Sequence, residues 1–459
     1  MTVWPGIKTS IDECCFLSFF IYIEDNGKYY TNLLPFLSDI YPFPTQKVDI
    51  FLLTWQKISF QFSKKMNISK VSIPSRFCEV FDSTDEPLIV RSPGRVNIIG
   101  EHTDYNDGFV LPAAIDKAMY VAIGNRADDK ISIYATQYEE LYEIPIKEIA
   151  RIDQHWSVYV LGVVDQLLKG GNELSGFNLL IDSDIPVGAG LSSSAALECA
   201  TVFALNSLFG KGLTRAEMAH IAMHAEHEFA GVKCGVMDMF TSLFGRHNHV
   251  INLDCRSLLY EYIPLNMQGL KIVLLNTNIK HSHSSSEYNT RRQQCEQGVA
   301  WVKAHVPQVT ALRDVTHEML CSYVLPNDNT IYRRCKYVVE ENNRLLTACV
   351  DLKKGNLAEL GRKMYASHRG LSRDYEVSCP ELDFLVDQVK NNRGVLGARM
   401  MGGGFGGCTL NIVREEELEE LLEKVTYAYR KETGLPLSYY VASIENGTEL
   451  ISNMKLTRV

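Results

Sequence analysis

The run Asp184-Ile-Pro-Val-Gly-Ala-Gly-Leu-Ser-Ser-Ser-Ala-Ala-Leu197 constrains this chain more than any other segment. An apolar strand, Phe177–Ile181, precedes it, and a helix from about Ser192 to Phe209 follows. Glycines at 188 and 190 let the backbone turn tightly and approach another group with no Cβ in the way. The first turn of a helix leaves N–H groups unpaired, with the positive end of the helix dipole behind them. Strand, glycine turn and helix start together make a phosphate cradle. The hydroxyls of Ser192, Ser193 and Ser194 add donors and a candidate Mg²⁺ ligand. No Lys follows a glycine, so this is not a Walker A loop. An ordinary glycine turn with a serine N-cap would use the same residues.

Two further segments share this character. Gly402-Gly-Gly-Phe-Gly-Gly407 has five glycines in six residues, directly before a strand at Cys408. A flexible linker is one reading; close backbone packing against a substrate phosphate fits the adjoining strand better. Pro93-Gly-Arg-Val-Asn-Ile-Ile-Gly-Glu-His-Thr-Asp-Tyr105 places Glu101, His102 and Asp104 within four residues, with Arg95 upstream. Such a set can grip several hydroxyls of a sugar, although a polar β-turn has the same composition.

Isolated acids come next. Glu226 falls near the C-terminal end of a helix that starts at Thr214, where a carboxylate opposes the dipole at about 0.3–1 kcal/mol. A cation partner would offset that cost, and plain solvation is the alternative. Asp238 is a lone charge in Cys-Gly-Val-Met-Asp-Met-Phe240, either a hydrogen-bonded structural group or a poised catalytic one. His281 and His283 lack a third ligand at metal spacing and read as polar loop residues.

The chain has 459 residues, 46 Lys+Arg against 55 Asp+Glu and a formal charge of −9. With 46% hydrophobic and 22% charged residues it is a globular composition, neither disordered nor fibrous. The acidic balance and scattered basic pairs argue against a nucleic-acid partner. No apolar run reaches the roughly 18 residues of a membrane span. Twelve scattered cysteines without Cys-x-x-Cys pairs read as reduced, cytoplasmic thiols.

Residues 1–65 are rich in aromatics and follow no sustained period. They read as upstream sequence joined to a chain that naturally starts at Met66, rather than as a true extension. From Pro87 the patterns are orderly. Leu88–Val90 precedes a Pro93-Gly94 turn, and strands follow at Val96–Ile99, Phe109–Leu111, Met119–Ile123 and Ile131–Tyr134. Helical patterns cover Trp156–Leu168, about Ser192–Phe209 and a segment from Thr214, where Thr214 and Glu217 form a capping box. Strands near Val250–Leu253 and Ile272–Leu275 precede a helical stretch over 285–392, with a second capping box at Ser378 and Glu381. Strands return at Cys408–Val413 and Tyr439–Ile444, and Glu415–Glu423 reads as a solvated helix face. The result is an α/β (α+β) chain of two domains with mixed sheets, 66–245 and 246–459.

Taken in order, the three glycine segments resemble the galactokinases of the GHMP small-molecule kinase family. Gly94 to Tyr105 looks like the galactokinase signature, Pro186 to Ala196 like the phosphate-binding motif, and Gly397 to Cys408 like the C-terminal glycine motif. The resemblance covers about Val90 to Glu445. Met401 stands where these enzymes usually carry Thr, so the backbone cradle is kept without a hydroxyl. The family fold it implies has its active site in a cleft between the two domains. Asp238 is implied as the base for the C1 hydroxyl of D-galactose, with Arg95 holding it ionised; an opposite charge within ~4–6 Å lowers a carboxylate pKa by about 1–3 units. Glu101, His102, Thr103, Asp104, Gly235 and Tyr288 are implied to hold the sugar. Pro186, Gly188, Ala189, Gly190, Leu191, Ser192 and Ser193 are implied to cradle ATP, with Trp156 and Tyr159 beside the adenine. Ser194 and Glu226 are implied ligands of Mg²⁺. The implied enzyme is a cytoplasmic monomer with no membrane partner, acting at the first committed step of galactose catabolism through the Leloir pathway. An N-acetylgalactosamine kinase is the neighbouring alternative, against which Thr103 and Asn106-Asp107-Gly108 speak. A non-catalytic galactose- and ATP-binding regulator is another, and the complete Ser192–Ala196 run speaks against it.

Overall fold

The structure, a computed structural model, describes residues 72–151, 155–280 and 284–451. The segment 1–65 and the pair His281/His283 lie outside the described residues. Ile68–Val459 forms one compact unit.

In chain order this unit begins with helix α1 (Ser72–Phe81) and strands β1 (Leu88–Asn97), β2 (Phe109–Val110), β3 (Pro112–Asn125), β4 (Lys130–Ala135) and β5 (Glu140–Pro145). Then come α2 (Val158–Lys169), β6 (Phe177–Ser183), α3 (Ser193–Phe209), α4 (Arg215–Ala225) and α5 (Met237–Phe244). Strands β7 (His249–Asp254), β8 (Tyr260–Pro264) and β9 (Leu270–Lys280) lead into helices α6 (Ser284–Lys303), α7 (Asn329–Lys353), α8 (Leu357–Arg373) and α9 (Pro380–Val389). Strands β10 (Val395–Met400) and β11 (Gly406–Arg414), helix α10 (Leu418–Thr433), and strands β12 (Ser438–Ala442) and β13 (Glu449–Leu450) complete it.

Three sheets result. Six strands run in the order β13-β1-β3-β6-β4-β5, four in the order β10-β11-β9-β12, and three in the order β2-β7-β8. All pairings are antiparallel except β4 with β6. Helix α3 is the central helix: Ala195, Ala196, Cys199, Ala200, Val202, Ala204 and Leu205 are buried around most of its circumference. Its small residues let it lie close over the strands, and Gly210 closes it in the left-handed conformation. The main core joins residues of β1, β3, β6 and α2–α5 to Leu274, Leu410 and Ile412 of the four-stranded sheet.

The strand and helix expectations hold with shifted ends, and the Thr214/Glu217 capping box is present. Two local readings are corrected. Pro93-Gly94 is no turn: β1 runs through it as a bulge, still paired with β3 on both sides. The Ser378/Glu381 box is absent because Pro380 starts α9 one residue later, with Cys379 as N-cap; the Ser378 hydroxyl donates to Asp383 at 2.5 Å instead. Strand β5 escaped sequence reading because it is a mostly exposed edge strand with charged residues. The Glu415–Glu423 acids are solvated, and Leu421 and Leu422 face inward.

Candidate active site

The glycine turn after β6 is built as its sequence implies. Gly188 and Gly190 have φ of 75° and 73° and lie exposed, while Ala189 and Leu191 are buried and anchor the loop between them. For Ala189 and Leu191 only the backbone therefore faces outward, and Pro186 is half-buried at the loop's start. Ser192, the N-cap of α3, is itself left-handed, and no side chain caps the helix. Its hydroxyl donates to Asp238 Oδ2 at 2.5 Å. The first-turn N–H groups beside Ser193 and Ser194 are thus left without a side-chain acceptor, the arrangement an anion needs.

The β1 bulge brings Arg95 to this loop. A Cβ on Gly94 would lie 2.7 Å from the Leu191 carbonyl, so only glycine allows the approach. Arg95 N–H donates to Leu191 O at 3.1 Å, and Nη1 donates to Gly190 O at 2.7 Å. Nε and Nη2 donate to the two oxygens of Asp238 at 2.7 and 2.8 Å, a bidentate, charge-assisted pair. Asp238 sits on the first turn of α5, so the loop, the β1 bulge and α5 converge on one carboxylate.

Next to this pair opens a pocket of about 160 Å³, lined by Arg95, Glu101, His102, Asp104, Ser194, Glu226, Asp238 and Tyr288 among others. Asp104 is buried, and burial together with the Asp238 charge pushes its pKa up to about 7. It reaches its place because position 235 is glycine: a Cβ there would meet Asp104 Oδ2 at 2.3 Å. Glu101 accepts from Arg399 at 2.9 Å and Gly402 N–H at 2.8 Å on one oxygen, and from Asn97 at 3.0 Å on the other. Despite burial, the Arg399 and Arg95 charges and these donors hold its pKa below the usual carboxylate range. The second oxygen keeps lone-pair capacity for a ligand. Tyr288, from α6, packs against His102 with ring centroids 5.2 Å apart. Thr103 is placed differently: its buried hydroxyl is turned to the carbonyls of Gly100 and Phe109, at 2.9 and 2.6 Å, and does not line the pocket.

At the far end, Glu226 is buried against Ser194, and burial pushes its pKa up to about 7. Behind it lies Glu198 of α3, wholly buried beside Glu226. Burial and then the Glu226 charge push the Glu198 carboxyl well above its ordinary value. Two hard-oxygen groups facing the pocket, with unbalanced acidity around them, are the donor set Mg²⁺ takes when substrate phosphates supply the remaining ligands. Trp156 and Tyr159 flank the start of α2, both half-buried. Trp156 donates to Glu140 at 2.7 Å and stacks on Tyr138 at 6.3 Å. Burial, then the Glu226 and Glu198 charges, push the Tyr159 hydroxyl up, which sets it close to that acidic end.

The 402–407 glycines serve two ends. Gly402 and Gly403 line the pocket. Gly404 and Gly406 pack against protein backbone, where a Cβ would lie 2.1 Å from Val377 O and 2.5 Å from Ile279 O. Met401 is buried in the core. Sequence reasoning missed the support of the 100–109 turn: Glu341 and Asn342 of α7 accept from Gly100 N–H and Phe109 N–H, both at 2.9 Å, and Tyr337 donates to Glu101 O at 3.0 Å. It also missed Glu198, for which a signal was present: a lone acid in the apolar Ala-Ala-Leu-Glu-Cys-Ala run.

A glycine loop at an uncapped helix start, an Arg–Asp pair beside it and a carboxylate-lined pocket define a small-molecule kinase of the GHMP type. The family description "GHMP kinases N terminal domain" matches residues 158–246, and "GHMP kinases C terminal" matches 348–431. The "Galactokinase galactose-binding signature" matches 75–125. The chain is 40% identical over 362 residues to a galactokinase of Thermotoga maritima, covering 79% of this chain and 99% of that one. To a galactokinase of Bacillus subtilis it is 38% identical over 376 residues, 81% of this chain and 96% of the other. A crystal structure of Lactococcus lactis galactokinase complexed with galactose superposes with a TM-score of 0.80 at 35% identity, over 83% of this chain and 99% of that chain. The chain belongs to the galactokinase family.

Proposed function

We propose that the protein transfers the γ-phosphoryl group of ATP to the C1 hydroxyl of D-galactose, giving α-D-galactose 1-phosphate and ADP, the entry step of galactose catabolism. The observation that carries this is the convergence of Arg95, Ser192 and Asp238 at 2.5–2.8 Å between the glycine loop and the carboxylate-lined pocket. Phosphoryl transfer asks mainly for positioning and charge stabilisation. Asp238 accepts the proton of the sugar hydroxyl. Arg95, bonded to the loop carbonyl and to Asp238 together, orients the base and steadies charge on the transferring group. Asp104 and the free side of Glu101 accept from sugar hydroxyls, and the first-turn N–H groups of α3 face the nucleotide phosphates.

The pocket lining carries Glu101, Asp104, Glu226 and Asp238 with Arg95 as its one cation, Arg399 pairing with Glu101 from behind, so a triphosphate there needs a further cation. Ser194 and Glu226 would hold Mg²⁺, which when bound neutralises phosphate charge. Residues 66–245 and 246–459 are read as the two family domains. A monomer in the cytoplasm is the accompanying expectation: the ten described cysteines are free thiols, which suits a reducing compartment. Among the described residues no helix is long and apolar enough to cross a membrane.

The test is ADP release in a coupled assay with galactose, with N-acetylgalactosamine and with no sugar. Release that depends on galactose is expected. Faster turnover of N-acetylgalactosamine would move the assignment to that sugar, and no sugar-dependent release would favour a binding regulator.

A further inference from the structure

His102 is held in a backbone conformation that a non-glycine residue rarely adopts, with φ at 61°, at the centre of the sugar-facing turn. Strain of this kind persists only where the surroundings over-determine it. Here both ring nitrogens are bonded: Nε2 to the Gly403 carbonyl at 3.2 Å and Nδ1 to the Tyr105 hydroxyl at 2.7 Å. Tyr105 meets the Tyr375 hydroxyl at 2.7 Å, and Tyr375 meets the Cys295 sulfur at 3.2 Å. His102, Tyr375 and Cys295 are buried and Tyr105 is half-buried between them, which limits competition from solvent.

The proton order along this line is fixed by its last member. A carbonyl only accepts, so His102 Nε2 carries the proton; burial also lowers the ring's pKa to about 4, which keeps it neutral. In a neutral ring Nδ1 then accepts, so Tyr105 donates to it. The Tyr105 oxygen accepts from Tyr375, and Tyr375 accepts from the Cys295 thiol. Four residues from the sugar turn, α6 and the segment after α8 thus form a one-way relay that ends on the pocket-lining glycine loop.

We propose that Tyr105 and Tyr375 are positioning residues for the sugar, acting through His102 by fixing its ring orientation and with it the turn that carries Glu101 and Asp104. The inference rests on the reading that this turn holds galactose. Neither tyrosine is asked to touch the sugar. Their hydroxyls matter because each is the sole polar tie between rings that otherwise only pack, with His102 and Tyr375 centroids 4.9 Å apart.

The experiment compares Tyr105→Phe, Tyr375→Phe and Cys295→Ser in the full chain, measuring galactose and Mg-ATP affinity by calorimetry and the hydrogen bonding of the His102 ring nitrogens by ¹⁵N NMR. Both Phe variants keep the ring and remove only the hydroxyl. Each variant breaks the two hydrogen bonds of one hydroxyl and so releases the His102 ring, which predicts galactose binding weakened about five- to tenfold, with ATP affinity within twofold of wild type. Wild type and Tyr105→Phe should both show Nε2–H, and Tyr105→Phe should shift the Nδ1 signal toward that of an imine nitrogen without a hydrogen bond. Cys295→Ser keeps a donor and should bind galactose like wild type. Unchanged galactose affinity in both Phe variants, or equal weakening of galactose and ATP, overturns the proposal. If wild type binds no galactose, the reading of the turn fails, while the Nδ1 shift still tests the relay.

Discussion

Asp104 shows how function and stability pull apart at a single residue. An ordinary Asp titrates near 3.9, whereas burial and the Asp238 charge place this one at about 7. The folded state therefore holds the proton more tightly than the unfolded chain does. Stability falls as pH rises from about 4 to about 7, by on the order of 4 kcal/mol once ionisation is complete. Asp104→Asn removes that loss. The sugar-free variant should be more stable than wild type at pH 7.5 by about 1–4 kcal/mol, shrinking to under about 1 kcal/mol near pH 4.5. Urea midpoints of both proteins at the two pH values check it, and a pH-independent difference would contradict it. Asp238 was legible because a lone charge in an apolar run needs a reason, and Arg95 and Asp104 because the Pro93–Tyr105 segment gathers charged groups within a few residues. Tyr105 and Tyr375 were not, since they lie 270 residues apart and a Tyr that relays a proton reads like one that packs.

Strands and helices were legible where an apolar run is sustained, as in β3, β9 and α3. They were not where tertiary contacts decide. The Pro93-Gly94 bulge exists because β3 pairs with both halves of β1 and the Leu191 carbonyl needs the space over Gly94. Ser378 lost its cap to a proline and its hydroxyl to Asp383. The 402–407 loop was read as a ligand cradle throughout, yet part of it is close packing of backbone on backbone. That division can be measured. Gly404 and Gly171 both have positive φ, at 82° and 79°, but a Cβ is blocked by Val377 O only at 404 and meets nothing within 4 Å at 171. Gly171→Ala should cost about 1–2 kcal/mol, the left-handed penalty alone. Gly404→Ala should cost at least about 1 kcal/mol more in denaturant unfolding; equal losses would show the loop to be slack.

At the scale of the molecule, the −9 charge is less important than where charges lie. Four carboxylates and one arginine meet in the pocket, an arrangement suited to hydroxyl groups and to a cation that carries phosphate with it. The main core ties both glycine loops and the sugar turn to one frame, with β13 returning the C-terminal segment to the edge of β1. Sequence motifs carried the class of chemistry. The frame that aligns the motifs, above all Glu341 and Asn342 of α7 holding the 100–109 turn, is visible only in three dimensions. The most direct test of the central claim follows ³¹P NMR of galactose with Mg-ATP, using wild type and Asp238→Asn. Wild type should form an α-anomeric sugar phosphate one for one with ADP. Asp238→Asn, binding ATP nearly as well, should be slower by about 10²–10⁴-fold. No sugar phosphate from wild type, or wild-type turnover in Asp238→Asn, would contradict the account.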